Sequence, residues 1–469
     1  MPRLDEDRLL PLEERPRAIA RALYRDVADL PIISPHGHTD PRWFAANEPF
    51  TDPASLLVTP DHYVLRMLVS AGIPLADLGV ARSDGVPVED DPRRIWHRFA
   101  DNYHLFRGTP SAFWLDHTLA TLFGIEEPLG RSTGEAIFER ISECLADPAY
   151  RPRALFERFR VEVLATTEGA LDPLDHHRAL GASGWAGRVV TTYRPDAVVD
   201  PDTPGFPGNI RALGELTGRD VGCFQGYLDA HRDRRAYFRE VGGATATDHG
   251  HPSARTEDLG PAEAEALYAR VLSGRHTPAE AEAFRGQMLT EMARMSLEDG
   301  MVMQLHAGAA RGHHPGMLAL HGRDIGFDVP SPTEYVRALR PLLSAVGMEP
   351  GLTLILFTLD ETTYSRELAP LAGVYPCLKL GPPWWFYDSP EGMRRFREAT
   401  IETTGFYNTV GFNDDTRAFP SIPARHDMAR RADCAHLATL VASGRLREDE
   451  AAELAPALAY DLAKTAYRL

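Results

Sequence analysis

Short runs of β-branched and aliphatic residues recur along this chain. Each ends in polar or glycine-rich residues, and helical periodicity fills most of the intervals. Eight runs stand out: 31–38, 161–167, 188–194, 243–250, 301–308, 352–359, 377–383 and 408–415. Several are nearly continuous in apolar residues, as in Leu352-Thr353-Leu354-Ile355-Leu356-Phe357. Strands covered on both faces read this way in parallel sheets. Helical patterns at 261–275, 277–299, 332–346 and 392–404 lie between them. The alternation predicts right-handed β/α crossovers, and eight strands predict a closed ring. The expected fold is α/β: a distorted (β/α)8 TIM-type barrel.

The regularity breaks after the first run. About 120 residues separate it from the second, far more than a crossover needs. That stretch is rich in Trp, Leu and Arg with helical periodicity, so a folded helical insertion is expected after strand 1. The division expected from sequence is 1–40 for the N-terminal segment and first strand, 41–160 for the insertion and 161–422 for the remainder of the barrel. Residues 423–469 read as a helical C-terminal extension of two or three helices packed on it. No internal repeat interrupts this order.

Composition narrows the classes of function. The chain has 469 residues and a formal net charge of −17, which opposes binding to nucleic acid or anionic membranes. Its four cysteines are widely spaced, its start is charged rather than apolar, and no apolar stretch approaches a membrane span. The expectation is a cytoplasmic enzyme with no nucleic-acid or membrane partner.

Polar residues collect where the runs end, which in β/α barrels is the side that carries the active site. His36 and His38, in Pro35-His36-Gly37-His38, are separated by one residue, so both point the same way from a strand end. They are either two ligands of one divalent ion or caps bonded to backbone. Asp415 ends the last run and completes a metal set if the ring closes. Its neighbour Asp414 points the opposite way on a strand. His306 is a further ligand, a substrate donor or a buried structural histidine. Asp248 and His249 read more simply as a turn. Arg194 forks onto a substrate carboxylate or pairs with Asp196. Of Trp384 and Trp385, one is expected in the core and the other in the pocket. Tyr63 and His62, from the insertion, are proton carriers or, for Tyr63, a core residue with a satisfied hydroxyl.

Together these segments resemble the uronate isomerases of the amidohydrolase superfamily, in order and over nearly the whole chain. The resemblance is carried by His36-Gly37-His38, Asp61-His62-Tyr63 with Arg66, Thr166-Thr167, Arg194-Pro195-Asp196, Asp248-His249-Gly250 and Met303-Gln304-Leu305-His306. It continues through Trp384-Trp385-Phe386-Tyr387-Asp388, Asp415-Thr416-Arg417-Ala418-Phe419 and Arg425-His426-Asp427. It implies interconversion of a hexuronate aldose and its ketose, D-glucuronate with D-fructuronate or D-galacturonate with D-tagaturonate, by proton transfer from C2 to C1 through an enediol. The implied site has Asp415 as base with Tyr63 and His62 as proton donors. His306, Arg194, Trp384 and Arg417 would bind substrate around a mononuclear metal on His36, His38 and Asp415. Zinc is the expected ion, the substrate is a small anionic sugar, and a homo-oligomer is expected.

The chain departs from the family pattern after the sixth run. Asp360-Glu361-Thr362-Thr363-Tyr364-Ser365-Arg366 stands where an Asn-Pro-Arg-Asp-Asn-like segment is usual, so Arg366 is the expected replacement for its arginine. After His306, Arg311-Gly312-His313-His314 replaces Arg-Asn-Asn. The alternative chemistry is a metal-dependent amidohydrolase or lactonase, which shares the HxH and the late Asp. The fourth run has no lysine to bridge two metals, which favours one ion.

Overall fold

The computed structural model describes residues 4–469. Seven strands form one parallel sheet with neighbours in chain order: β1 (Ile32–Ser34), β2 (Val161–Gly169), β3 (Arg188–Arg194), β4 (Ala246–His249), β5 (Val302–Ala307), β6 (Leu354–Thr358) and β7 (Leu378–Leu380). The run expected as the eighth strand is not one. It touches β7 through a single parallel bridge, Leu380 to Thr409, and reaches the chain beyond β1 through His38 N–H donating to the Thr416 carbonyl at 2.9 Å. The sheet therefore curls into a distorted (β/α)8-type barrel whose last stave is an extended segment. Gly411 and Asp415, with φ of 71° and 42°, lie in the left-handed region, which interrupts regular pairing along the segment.

A two-stranded antiparallel pair, Ala309–Ala310 with Val329–Pro330, adds an element that the periodicity did not announce. Two-residue strands carry too little pattern to read.

Every residue of β5 and β6 is buried, as the continuous apolar runs require. Alternate residues divide between two cores. Met303, Leu305 and Ala307 of β5 join Leu354 and Leu356 of β6 under the outer helices. Val302, Ile355, Phe357 and Ala246 instead pack inside the ring with Val410 and Phe412.

Between β1 and β2 the chain forms a helical layer, from Pro41–Ala46 to Pro152–Arg158, around a core that includes Trp96, Phe99, Phe106 and Phe138. Beyond the ring, the helix Ile422–Ala442 packs against the N-terminal helix Glu14–Val27 through Leu23, Val27, Leu437 and Val441. No helix among the described residues is long and apolar enough to cross a membrane.

Candidate active site

Strand parity builds the floor of the site. His306 shares the face of Val302 on β5, and Asp248 shares the face of Ala246 on β4, so both project into the ring. There His306 Nδ1 lies 2.6 Å from Asp248 Oδ1. Asp248 Oδ2 is 3.2 Å from Arg194 Nη1, and Arg194 Nε donates to Asp196 at 2.8 Å. Arg194 is thus held by two carboxylates, only one of which, Asp196, is its sequence neighbour. Burial opposes charge on Asp248, but Arg194 and then His306 hold its carboxyl well below the ordinary value. Reading Asp248 as a turn residue is corrected: it is in the strand, fully buried. Its parity with Ala246 was the available signal.

Above this floor His36, His38 and Asp415 converge. Asp415 Oδ1 is 3.3 Å from His38 Nε2 and 3.7 Å from His36 Nε2. Ligand atoms about 2.0–2.1 Å from a tetrahedral zinc lie about 3.4 Å apart, so these separations suit one ion. Two further observations fit a cation. Asp415 Oδ1 is buried without a hydrogen-bond partner, while Oδ2 accepts from Trp384 Nε1 at 2.9 Å. Burial also lowers both imidazole pKa values, so each ring is neutral with a lone pair free to ligate. His36, Asp248 and His306 form a second close donor group. There Arg194 already supplies the positive charge beside Asp248. Asp414 turns away and accepts from His426 Nε2 at 3.0 Å.

The insertion supplies His62 and Tyr63. Asp61 caps the helix His62–Ser70 by accepting from Tyr63 N–H at 2.8 Å, which fixes where both side chains leave the backbone. His62 lines the cavity, stacked on Tyr63 and edge-on to Trp385, with both ring nitrogens buried and unpartnered. Burial, with Arg417 next, holds its pKa well below the ordinary value. Tyr63 does not line the cavity. Its hydroxyl donates to Asp388 Oδ2 at 2.6 Å, and Arg425 Nη1 reaches the same oxygen at 3.2 Å. Asp388, which pairing rules did not single out, is the residue that fixes Tyr63.

Trp384 and Trp385 both line the cavity. The expected split between core and pocket fails because they lie in a loop after β7, where strand alternation does not apply. Arg366 is also misplaced by the sequence reading. Its side chain is 65% exposed, pairs with Glu367, and lies in a π-helical turn away from the cavity. The cations lining the cavity are Arg194, Arg311 and Arg417. The inner chamber holds about 30 Å³, and a chamber of about 450 Å³ lies outside it. His38, Arg194, Arg311, Asp324 and Arg417 border both.

A family model described as glucuronate isomerase matches residues 7–467. The chain belongs to this family. Its resemblance to uronate isomerases, read from the His-Gly-His, Asp-His-Tyr and Trp-Trp segments, holds over the full length. A uronate isomerase of Rhizobium meliloti is 64% identical over 99% of both chains, and one of Mesorhizobium japonicum is 63% identical with the same coverage. The solved glucuronate isomerase of Caulobacter crescentus superposes with a TM-score of 0.98 at 57% identity, covering 100% of this chain and 98% of that one. A metal-dependent hydrolase from Lactobacillus casei shares the fold, with a TM-score of 0.54 at 15% identity and coverage of 95% and 97%.

Proposed function

We propose that this family member isomerises a hexuronate, D-glucuronate to D-fructuronate and D-galacturonate to D-tagaturonate, with Asp415 as the base. The observation that carries the reading is the convergence of His36, His38 and Asp415 with three guanidinium groups in one cavity at the strand ends. A proton next to a carbonyl is weakly acidic, so charge that develops on O1 and O2 needs positive or hydrogen-bonding neighbours. His62 and His306 line the cavity and can serve these oxygens, while Arg417 belongs to the cationic wall.

The chemistry balances without an outside oxidant. Asp415 takes the C2 proton, the C1 oxygen gains a proton, and an enediol forms. The O2 hydroxyl then releases its proton as the C2 carbonyl forms, and C1 receives the proton held by Asp415. His62, its nitrogens free of protein partners, is the group that moves protons between O1 and O2. Tyr63, fixed on Asp388 and stacked on His62, orients that ring. Trp384 holds Asp415 in position, and Arg194 with Arg311 contributes to the cationic wall.

One ion, zinc by its donor set, would be held by His36, His38 and Asp415, and when bound it supplies Lewis acidity toward the sugar oxygens. The widely spaced free cysteines support a cytoplasmic location, and a homo-oligomer is expected.

Incubation of metal-analysed protein with a panel of uronates in deuterated water tests the reading. Deuterium at the carbon beside the carbonyl, together with ketose formation, supports it. Release of a hydrolysis product in its place contradicts it.

A further inference from the structure

The cationic wall is already occupied. Asp324 Oδ2 lies 3.2 Å from Arg417 Nη2, and Asp324 Oδ1 lies 3.5 Å from Arg311 Nη1. Among the described residues no other carboxylate pairs with Arg417, whose Nε is buried and unpartnered. One side chain thus spans two guanidinium groups, one oxygen to each, as a substrate carboxylate would.

We propose that Asp324 is a built-in occupant of the subsite for the uronate carboxylate, and that substrate enters by replacing it on Arg311 and Arg417. The inference rests on the uronate reading above. Space supports it independently. The inner chamber, at about 30 Å³, has room for roughly one water. Ligand pockets usually begin at about 300 Å³, so a six-carbon sugar acid needs the space of the adjoining chamber as well. Asp324 borders both the inner and the outer chamber, so its departure joins them.

The backbone around it is built for a swing. Asp324 sits at φ 61°, between Gly322 at 82° and Gly326 at 91°. Glycine adopts such angles freely, and aspartate is among the few other residues that tolerate them. Ile325, 7% exposed, anchors the far side of the arm in the core of the insertion, and Gly326 lies against Arg66 on the helix that carries His62. The movement is therefore confined to the arm 322–324.

The exchange also selects for charge. An anionic sugar replaces one carboxylate by another, so Arg417 stays paired throughout. A neutral sugar that displaced Asp324 would leave Arg417, with its buried Nε, without a counter-charge. Partial desolvation opposes charge on Asp324, whose side chain is still 41% exposed, yet Arg417 and then Arg311 hold its carboxyl below the usual value, so it competes as an anion at neutral pH.

Calorimetric titration with D-gluconate, which has the carboxylate but no aldehyde, tests the exchange, with D-glucitol as its neutral counterpart. Asp324→Asn and Asp324→Ala are expected to tighten D-gluconate binding about tenfold, because the closed fraction no longer taxes affinity, with D-glucitol the weaker ligand in every form. Equal or weaker D-gluconate binding in both variants, or no binding in any form of the protein, overturns the inference. A second measurement needs no variant. Backbone hydrogen exchange at 322–324 of the wild-type protein should accelerate on saturation with D-gluconate, and slower exchange there contradicts displacement. Isomerisation of uronates is assayed separately, which keeps the two readings apart. Turnover without tightening removes only the displacement, whereas tightening without turnover removes the isomerase reading.

Discussion

Trp384 Nε1 donates to Asp415 Oδ2 at 2.9 Å and leaves Oδ1, 3.3 Å from His38 Nε2, as the oxygen turned toward the imidazole pair. This bond assigns the two oxygens of one carboxylate to different tasks. Asp415 also holds a φ of 42°, costly for a residue with a side chain, and the indole helps fix that conformation.

Trp384→Phe keeps the aromatic packing and removes the donor. Zinc affinity, measured by competition with a chromogenic chelator, is expected to fall about tenfold. An unchanged affinity would show that the indole contributes only packing.

Arg366 provides the opposite case. Because its guanidinium is exposed and paired with Glu367, Arg366→Ala is expected to leave kcat/KM for the preferred uronate within about twofold. A loss beyond about tenfold would mean that the turn after β6 refolds over the cavity when substrate binds.

These two residues mark where the sequence was legible. The pattern of runs placed the His36–His38 pair and His306 at strand ends, although the pair lies just beyond β1 and only His306 is held by strand alternation. The fold followed from continuous apolar runs alternating with helical periodicity. Loops carry no such rule. Trp384, Trp385 and Arg366 lie outside strands: strand logic wrongly sent one of the two tryptophans away from the cavity, and the family pattern, not strand logic, put Arg366 in it. Asp324 gave no signal at all, since it belongs to an irregular loop between a short helix and a two-residue strand. Tyr63 was legible as part of a cluster with His62, but its hydroxyl partner Asp388 is 325 residues away. Only the folded chain brings the two together.

Glu168, at the end of β2, predicts a pH dependence of stability. Its carboxyl accepts from Thr166 Oγ1 at 2.8 Å and from Thr191 Oγ1, yet burial pushes its pKa up from 4.5 to about 7. Between those values the unfolded chain has released this proton while the folded chain keeps it. Stability therefore falls as pH rises through that window and stays reduced above about 7. Glu168→Gln has no such loss, so the stability of the variant relative to wild type should rise by at most about 3 kcal/mol between pH 4.5 and 7.5. Thermal melts across this range check it, and a pH-independent difference contradicts the raised value.

The central claim is that Asp415 removes the C2 proton. The direct measurement is solvent deuterium incorporation at the carbon beside the carbonyl of a turned-over uronate, compared between wild type and Asp415→Asn at matched zinc content. The account predicts that exchange falls by about 100-fold or more in the variant, while D-gluconate still binds. Exchange at the wild-type rate in zinc-loaded Asp415→Asn would contradict it.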